Sequence, residues 1–140
     1  MSQMTWTTAQ QAAIDARRQN LLLSAAAGSG KTAVLTERIK KLITDMDDPA
    51  DITELLVLTF TRASAGEMKT RISSGIAKAL SEAEQEQNTP LARHLSRQLA
   101  LMSSAQISTL DSFFQTLIRR YFYLIDLDPN TKMLTDSNEI

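Results

Sequence analysis

Three short apolar runs, each leading into a segment of helical period, predict an α/β chain with a parallel sheet and helices on both faces. A glycine-rich turn between the first run and its helix sharpens that prediction and locates a binding site. The first run is Leu21-Leu22-Leu23, read as a strand over Leu21 to Ala25. The turn is Ala25-Ala26-Ala27-Gly28-Ser29-Gly30-Lys31-Thr32, and Val34, Leu35, Ile39, Leu42 and Ile43 give the helix over 31–44 its apolar face. In this setting Gly28 and Gly30 let successive backbone N–H groups turn toward one point, where the helix N-terminus adds partial positive charge. Ala25 to Thr32 then form a phosphate-binding loop for ATP, with Lys31 on the β- and γ-phosphates and the Thr32 hydroxyl on Mg²⁺. Ala25 stands where the usual pattern opens with glycine.

The remaining elements follow in order. Residues 7–19 read as a short helix capped by Thr7 or Thr8, with Ala9, Ala12, Ala13 and Ile14 on its apolar side. The acidic stretch from Asp45 to Asp51, with Pro49, ends the helix after the loop. Glu54 to Phe60 reads as a second strand, apolar on both faces as a buried parallel strand should be. Over 62–81 the period becomes helical, with Ala65, Met68, Ile72, Ile76 and Leu80 three or four apart. Glu82 to Pro90 is polar and reads as a surface linker, followed by an amphipathic helix through Leu91, Leu95, Leu99 and Met102. Ala105 to Leu110 is a shorter third strand. The last helix, 112–124, turns Phe113, Phe114, Leu117, Ile118, Tyr121 and Phe122 inward, and Ser112 and Gln115 have capping-box spacing. Ligands of such sheets sit at strand carboxyl ends, so Gly28–Thr32, Thr59–Arg62 and Thr109–Ser112 are expected on one rim.

Composition narrows the function classes. With 140 residues, 43% hydrophobic and 22% charged, the chain is of ordinary globular make-up and fits one domain. Fifteen Lys and Arg against sixteen Asp and Glu leave a net charge of −1, so any argument for nucleic acid rests on local placement. The absence of cysteine excludes disulfides and thiolate metal sites and suits a reducing cytosol, and a single His94 excludes a multi-histidine metal centre. No apolar run approaches the ~20 residues of a membrane span, and Met1–Met4 has no signal-peptide pattern. Neither membrane nor secretion is expected.

Three blocks then point to a family. Thr7-x-x-Gln10-x-x-Ala13-Ile14 precedes the loop, the run from Thr59 to Ile72 reads T-F-T-x-x-A-x-x-E-M-x-x-R-I, and Ser108 to Phe113 ends the third strand. In this order they resemble the first motifs of superfamily 1 helicases of the UvrD/Rep type. With Ser24 to Thr32 and Tyr121 to Pro129, the chain is similar to the AddA (RexA) family of bacterial ATP-dependent helicase–nuclease subunits. The resemblance covers about Trp6 to Ile140. It implies a P-loop NTPase (RecA-like) motor domain, of which 1–125 would be the first part and 126–140 the start of an inserted segment.

The resemblance assigns roles residue by residue. Gln10 matches an adenine-reading glutamine, whose amide offers one donor and one acceptor to the base; the other reading is a solvated helix residue. Thr59, Phe60 and Thr61 match a motif that touches single-stranded DNA by phosphate contacts and base stacking, although Phe60 fits a core position as well. Arg62 either adds a phosphate contact or pairs with Glu67. Thr109 and Ser112 match a further DNA-contacting motif, and Asp111, an acceptor where relatives show His, is otherwise a helix cap. Glu67, Lys69 and Arg71 read as a solvated helix face, and Arg119 and Arg120 are left between basic rim and ion pairs.

Hydrolysis also needs a carboxylate for Mg²⁺ and a group that activates water. No acidic pair follows an apolar strand: Asp47-Asp48 lies in a loop, and Asp126 and Asp128 follow a helix. The catalytic set is therefore incomplete, and the chain reads as the N-terminal part of a larger enzyme, inactive alone. Should turnover occur, Asp111 and Asp51 are the first carboxylates to mutate. The parent implied by the resemblance is an ATP-dependent 3′–5′ DNA helicase with nuclease activity. It would act on duplex ends and single-stranded DNA in double-strand-break repair and recombination, as a heterodimer with an AddB/RexB-type subunit in the cytoplasm. Two alternatives are a non-catalytic nucleotide- or DNA-binding module and a small P-loop kinase-like enzyme.

Overall fold

A computed structural model describes residues 5–24, 28 and 30–125. The elements are α1 (Thr8–Asp15), α2 (Lys31–Thr44), β1 (Leu56–Thr59), α3 (Arg62–Gln85), α4 (Thr89–Leu101), β2 (Gln106–Thr109) and α5 (Leu110–Tyr121). Single 3₁₀ turns precede β1, precede β2 and follow α5. The chain is mixed α/β, and β1 and β2 pair in parallel with Leu56 opposite Gln106 and Thr59 opposite Thr109. The predicted segment 126–140, with Asp126 and Asp128, lies outside the described residues, as do Ala25, Ala26, Ala27 and Ser29.

Helix α3 is the centre. Its apolar stripe, Ala65, Met68, Ile72, Ile76 and Ala83, is buried at helical spacing. It joins Ile39 and Ile43 of α2, Ile52, Val57 of β1, Leu95 of α4 and Met102 in one core. A second, smaller cluster joins Ala13 and Ile14 of α1 to Val34 of α2, with Trp6 and Leu23 packed against it.

Helices α2 and α3 run side by side in the same direction. The Thr36 hydroxyl lies 3.5 Å from Met68 Sδ. One turn on along α2 and two along α3, a Cβ on Gly75 would lie 3.5 Å from the Lys40 side chain. Further still, Lys40 and Thr44 line a groove with Gly75, Ala79 and Ala83. This pairing puts the N-termini of both helices at one end of the molecule.

Four expectations are corrected. Leu21–Ser24 joins no ladder among the described residues, and Leu22 is 92% exposed. A strand needs a neighbour for its N–H and C=O groups, and the described sheet contains only β1 and β2. Second, β1 is not buried on both faces: Val57 is buried, whereas Leu56 and Leu58 are 45% and 38% exposed. Third, the predicted linker is mostly helix, because Ala83 carries the stripe of α3 past residue 81.

The break between α3 and α4 is only Glu86–Asn88. Gln87 takes the left-handed conformation at φ 56°, and Asn88 N donates to Ala83 O at 2.8 Å while Gln87 N donates to Glu84 O at 3.1 Å. These are the two bonds of a Schellman motif. Asn88 then caps α4 by accepting from Leu91 N at 3.3 Å, with Pro90 in the first turn. Last, no residue of α5 is fully buried, and Phe114, Ile118 and Tyr121 are exposed rather than inward.

Ile72 has no exposed surface, so Ile72→Ala should cost about 2–5 kcal/mol in urea denaturation. Arg71 pairs with Glu67 on an exposed helix face, so Arg71→Ala should cost under about 1 kcal/mol.

Candidate functional site

The site begins at the turn before α2. Gly28 and Gly30 have φ of 79° and 83°, a region that glycine enters without the steric cost of a Cβ. A Cβ on Gly28 would meet nothing within 4 Å, so that position demands glycine for backbone conformation rather than for space. Gly30 is the N-cap of α2, and its carbonyl accepts from Val34 N at 2.9 Å. Lys31 and Thr32 are the first two helical residues, where backbone N–H groups have no partner within the helix. The Thr32 carbonyl accepts from the Thr36 hydroxyl at 2.9 Å.

Gln10 comes to this turn from α1. A Cβ on Gly30 would lie 3.6 Å from Gln10 Nε2. The same glutamine closes the N-terminus of its own helix: Thr7 N donates to Gln10 Oε1 at 2.9 Å and Gln10 N donates to Thr7 Oγ1 at 3.3 Å. The capping box is therefore Thr7–Gln10, and it holds the glutamine amide in one orientation beside Gly30. An amide oxygen accepts two hydrogen bonds, so capping and base recognition are chemically compatible.

The second part of the site lies at the carboxyl ends of β1 and β2. Parallel pairing with Thr59 opposite Thr109 brings Thr59–Arg62 and Thr109–Ser112 together. Each strand runs into a helix through the same device. Thr61 caps α3, its Oγ1 accepting from Ser64 N at 3.1 Å and donating to Ser64 Oγ at 2.7 Å. Thr109 caps α5, its Oγ1 accepting from Ser112 N at 3.2 Å and donating to Ser112 Oγ at 2.8 Å. The expected Ser112–Gln115 box does not form, because Thr109 already occupies the cap and α5 starts at Leu110. Asp111 lies in the first turn rather than at the cap.

In both motifs the threonine and serine hydroxyls share one hydrogen bond, so each pair keeps one hydroxyl hydrogen to donate outward. Ser64 was not among the expected site residues. The repeated T-x-x-S spacing at Thr61–Ser64 and Thr109–Ser112 is the sequence signal that marks it. Thr59 is half-buried, its hydroxyl donating to Thr61 O at 3.0 Å. Phe60 is 95% exposed and lies outside the core that the described residues form. Arg62 has no ion pair among the described residues, since Glu67 is taken by Arg71.

The loop and the twin caps lie at the same end. Thr36 and Met68 touch, and each is five or six residues past the start of its helix. At 1.5 Å per residue, Lys31 and Arg62 both lie about 8 Å back along parallel helices from that contact. Between α1 and α2, Ala13, Leu21, Leu23, Lys31, Val34, Leu35 and Arg38 line an apolar cavity of about 280 Å³.

Three aspartates among the described residues, Asp51, Asp15 and Asp45, serve the scaffold. Asp51 Oδ1 accepts from Thr53 N and Thr53 Oγ1 at 3.0 and 2.7 Å, and these bonds hold its carboxyl below the usual aspartate range. Its other oxygen accepts from Gln98 Nε2 at 3.4 Å, and the Gln98 oxygen takes the buried Ile52 N–H at 2.8 Å. Asp51 is thus a structural cap. No group of three or more His, Asp or Glu side chains among the described residues is arranged to hold a metal ion.

Asp15, bonded to Lys41 and Gln11, and Asp45, bonded to the Asp47 N–H and to Arg17, are also held below the ordinary aspartate value. A depressed folded pKa contributes stability above the unfolded value that is lost as pH falls through the folded one. Below about pH 4 the docking of α1 should therefore loosen. Thermal melts of Asp15→Asn and Asp45→Asn should show less acid sensitivity than the parent chain.

Comparison with known proteins gives a consistent result. The model of the UvrD/REP helicase N-terminal domain matches residues 6–139. An ATP-dependent helicase/nuclease subunit of Desulforamulus reducens is 50% identical over 95% of this chain and 10% of its own length. Proteins of the same name from Clostridium novyi and Bacillus licheniformis are 52% and 54% identical over 95% and 89% of this chain, and again 10% of theirs. The chain thus spans about a tenth of the length of these relatives. No helix among the described residues is long and apolar enough to cross a membrane.

Proposed function

We propose, from the premise that this chain belongs to the UvrD/REP helicase N-terminal domain family, that it holds the nucleotide and touches single-stranded DNA in an ATP-dependent helicase–nuclease. One observation carries the reading. The left-handed turn at Gly28 and Gly30 opens a helix on Lys31 and Thr32, at the same end as two helices that start from adjacent parallel strands.

In this reading Ala25 to Thr32 wrap the triphosphate, Lys31 supplies a charge-assisted contact, and Gln10 takes the adenine edge. The Thr32 hydroxyl is the only ligand proposed here for Mg²⁺, which would arrive with the phosphates. When bound, the ion neutralises phosphate charge; the residues of this chain fix the position of the phosphates beneath it.

DNA would lie across the twin caps. Ser64, Ser112 and the uncapped N–H groups of Arg62 and Ala63 offer donors to phosphate, and Phe60 offers a ring for stacking. A RecA-like sheet completed by further strands would cover the exposed Leu22, Leu56 and Leu58. The parent activity we assign is 3′–5′ unwinding coupled to nuclease action at duplex ends in break repair, in the cytoplasm, with a second subunit of AddB/RexB type.

A second reading concerns this stretch by itself. At the carboxyl ends of the described strands the one carboxylate is Asp111, in the first turn of α5, and no second acidic group stands beside it among Thr59–Arg62 and Thr109–Ser112. We therefore assign these 140 residues binding without turnover.

Nucleotide binding and ATP turnover by this chain, with and without single-stranded DNA, test both readings. Lys31→Ala should weaken ATP binding by about tenfold or more, the worth of one charge-assisted contact, with little loss of folding. Unaltered affinity would refute the loop assignment, and Lys31-dependent turnover would refute the binding-only reading. For DNA the informative variant is Phe60→Ala. Thr61 also caps α3, so Thr61→Ala mixes lost contact with about 1 kcal/mol of lost cap. The exposed Phe60 can be removed without harm to the fold, and its loss should weaken single-strand affinity by about 1–3 kcal/mol. Equal affinity would exclude stacking.

A further inference from the structure

We propose that Arg38, assisted by Lys41, is a positioning residue that fixes α1 against the phosphate loop and so sets which base the site accepts. The inference rests on the reading of Gln10 as the base-contacting residue.

Helix α1 has eight residues, too few to be stable alone. Its chain leaves helical geometry at Ala16, φ −57° and ψ 130°, so the Ala13 carbonyl has no helical N–H to accept from. Arg38 supplies the donor: Nη1 reaches Ala13 O at 2.7 Å in a half-buried setting. A guanidinium there also faces the negative end of the helix dipole. One turn further along α2, Lys41 pairs with Asp15, the last residue of α1. Just beyond, Arg17 pairs with Asp45 at 2.7 Å.

These polar contacts grip the end of α1 that lies away from the nucleotide turn, while Gln10 at the other end lies against Gly30. Arg38 is seven residues from Lys31, about 10 Å along α2. The phosphate-binding lysine and the grip on the base-reading helix are thus built into one rigid element. The apolar contacts of Ala13 and Ile14 with Val34 hold α1 on α2, but they are non-directional and do not fix it along its axis. The carbonyl and carboxylate contacts do. A slide of about 1 Å is enough to spoil a hydrogen-bonded geometry. Loss of the grip should therefore degrade base discrimination and spare phosphate binding.

The test measures affinity for ATP, GTP and inorganic tripolyphosphate, which has no base. The native chain should prefer ATP over GTP by about tenfold or more, as a site that hydrogen-bonds a base edge does. Arg38→Met should reduce that preference to about twofold with tripolyphosphate affinity unchanged, and Arg38→Lys, which can still donate to the carbonyl, should keep most of it. Asp15→Lys and Lys41→Asp should each narrow the preference, and the two together should restore it. This swap decides the matter if Arg38→Met does not fold. An ATP preference unchanged in Arg38→Met, or lost together with tripolyphosphate binding, would overturn the proposal. A native chain that binds tripolyphosphate but treats ATP and GTP alike would remove the Gln10 reading and the proposal with it. Failure to bind any of the three would instead strike the phosphate loop itself.

Discussion

Side-by-side packing of α2 and α3 is the constraint on which the rest depends. Ile39 and Ile43 from one helix and Met68, Ile72 and Ile76 from the other are buried in a shared core. At ~25 cal/mol per Å² such burial dominates the favourable side of folding. Their common direction has a functional consequence that burial alone would not produce. An antiparallel pair would fill the same core yet place the glycine turn and the strand-end caps at opposite ends. Here α2 starts at Gly30 and α3 at Thr61, and contacts at Thr36–Met68 and Lys40–Gly75 keep both starts level.

At that end the local devices that stop and start helices also make the chemistry. A helix N-terminus leaves N–H groups unsatisfied, and this chain opens three of its longer helices there or beside it. The first is opened by a left-handed glycine without a side-chain cap hydrogen bond. The other two are opened by threonines that each take one N–H and share a hydrogen bond with a serine hydroxyl. Capping stabilises the helices and at the same time sets hydroxyls in a row at the strand ends. Gln10 shows the same economy, closing α1 while its amide rests beside Gly30.

The far end of α1 and the loop after α2 form the complementary polar seam. Arg17, Arg18, Arg38 and Lys41 meet Asp45, Asp48, the Ala13 carbonyl and Asp15 there. Exposed pairs of this sort add little stability individually. Their value is directional: they fix where a short helix sits on a long one, which apolar contact cannot do.

The sequence by itself determined the elements whose cause is local. The α2 helix over 31–44, the stripe of α3 and the glycine turn were legible because helical period and left-handed φ leave marks on neighbouring residues. The family pattern was legible for the same reason, as short motifs in order. Tertiary structure alone decided the rest. Leu21–Leu23 and Leu56–Leu58 both read as strands, yet strand formation depends on a partner distant in sequence, and only the second finds one among the described residues. Glu82–Pro90 read as a linker because a glutamine gives no sign that it will take the left-handed position of a Schellman turn. Thr59–Arg62 and Thr109–Ser112 were expected on one rim, but the register that sets Thr59 opposite Thr109 came only from the parallel pairing of β1 with β2. Arg38 carried no motif at all. Its role comes from an orphan carbonyl on another helix, twenty-five residues away in the chain, and an unsatisfied group of that kind exists only once the helices have packed.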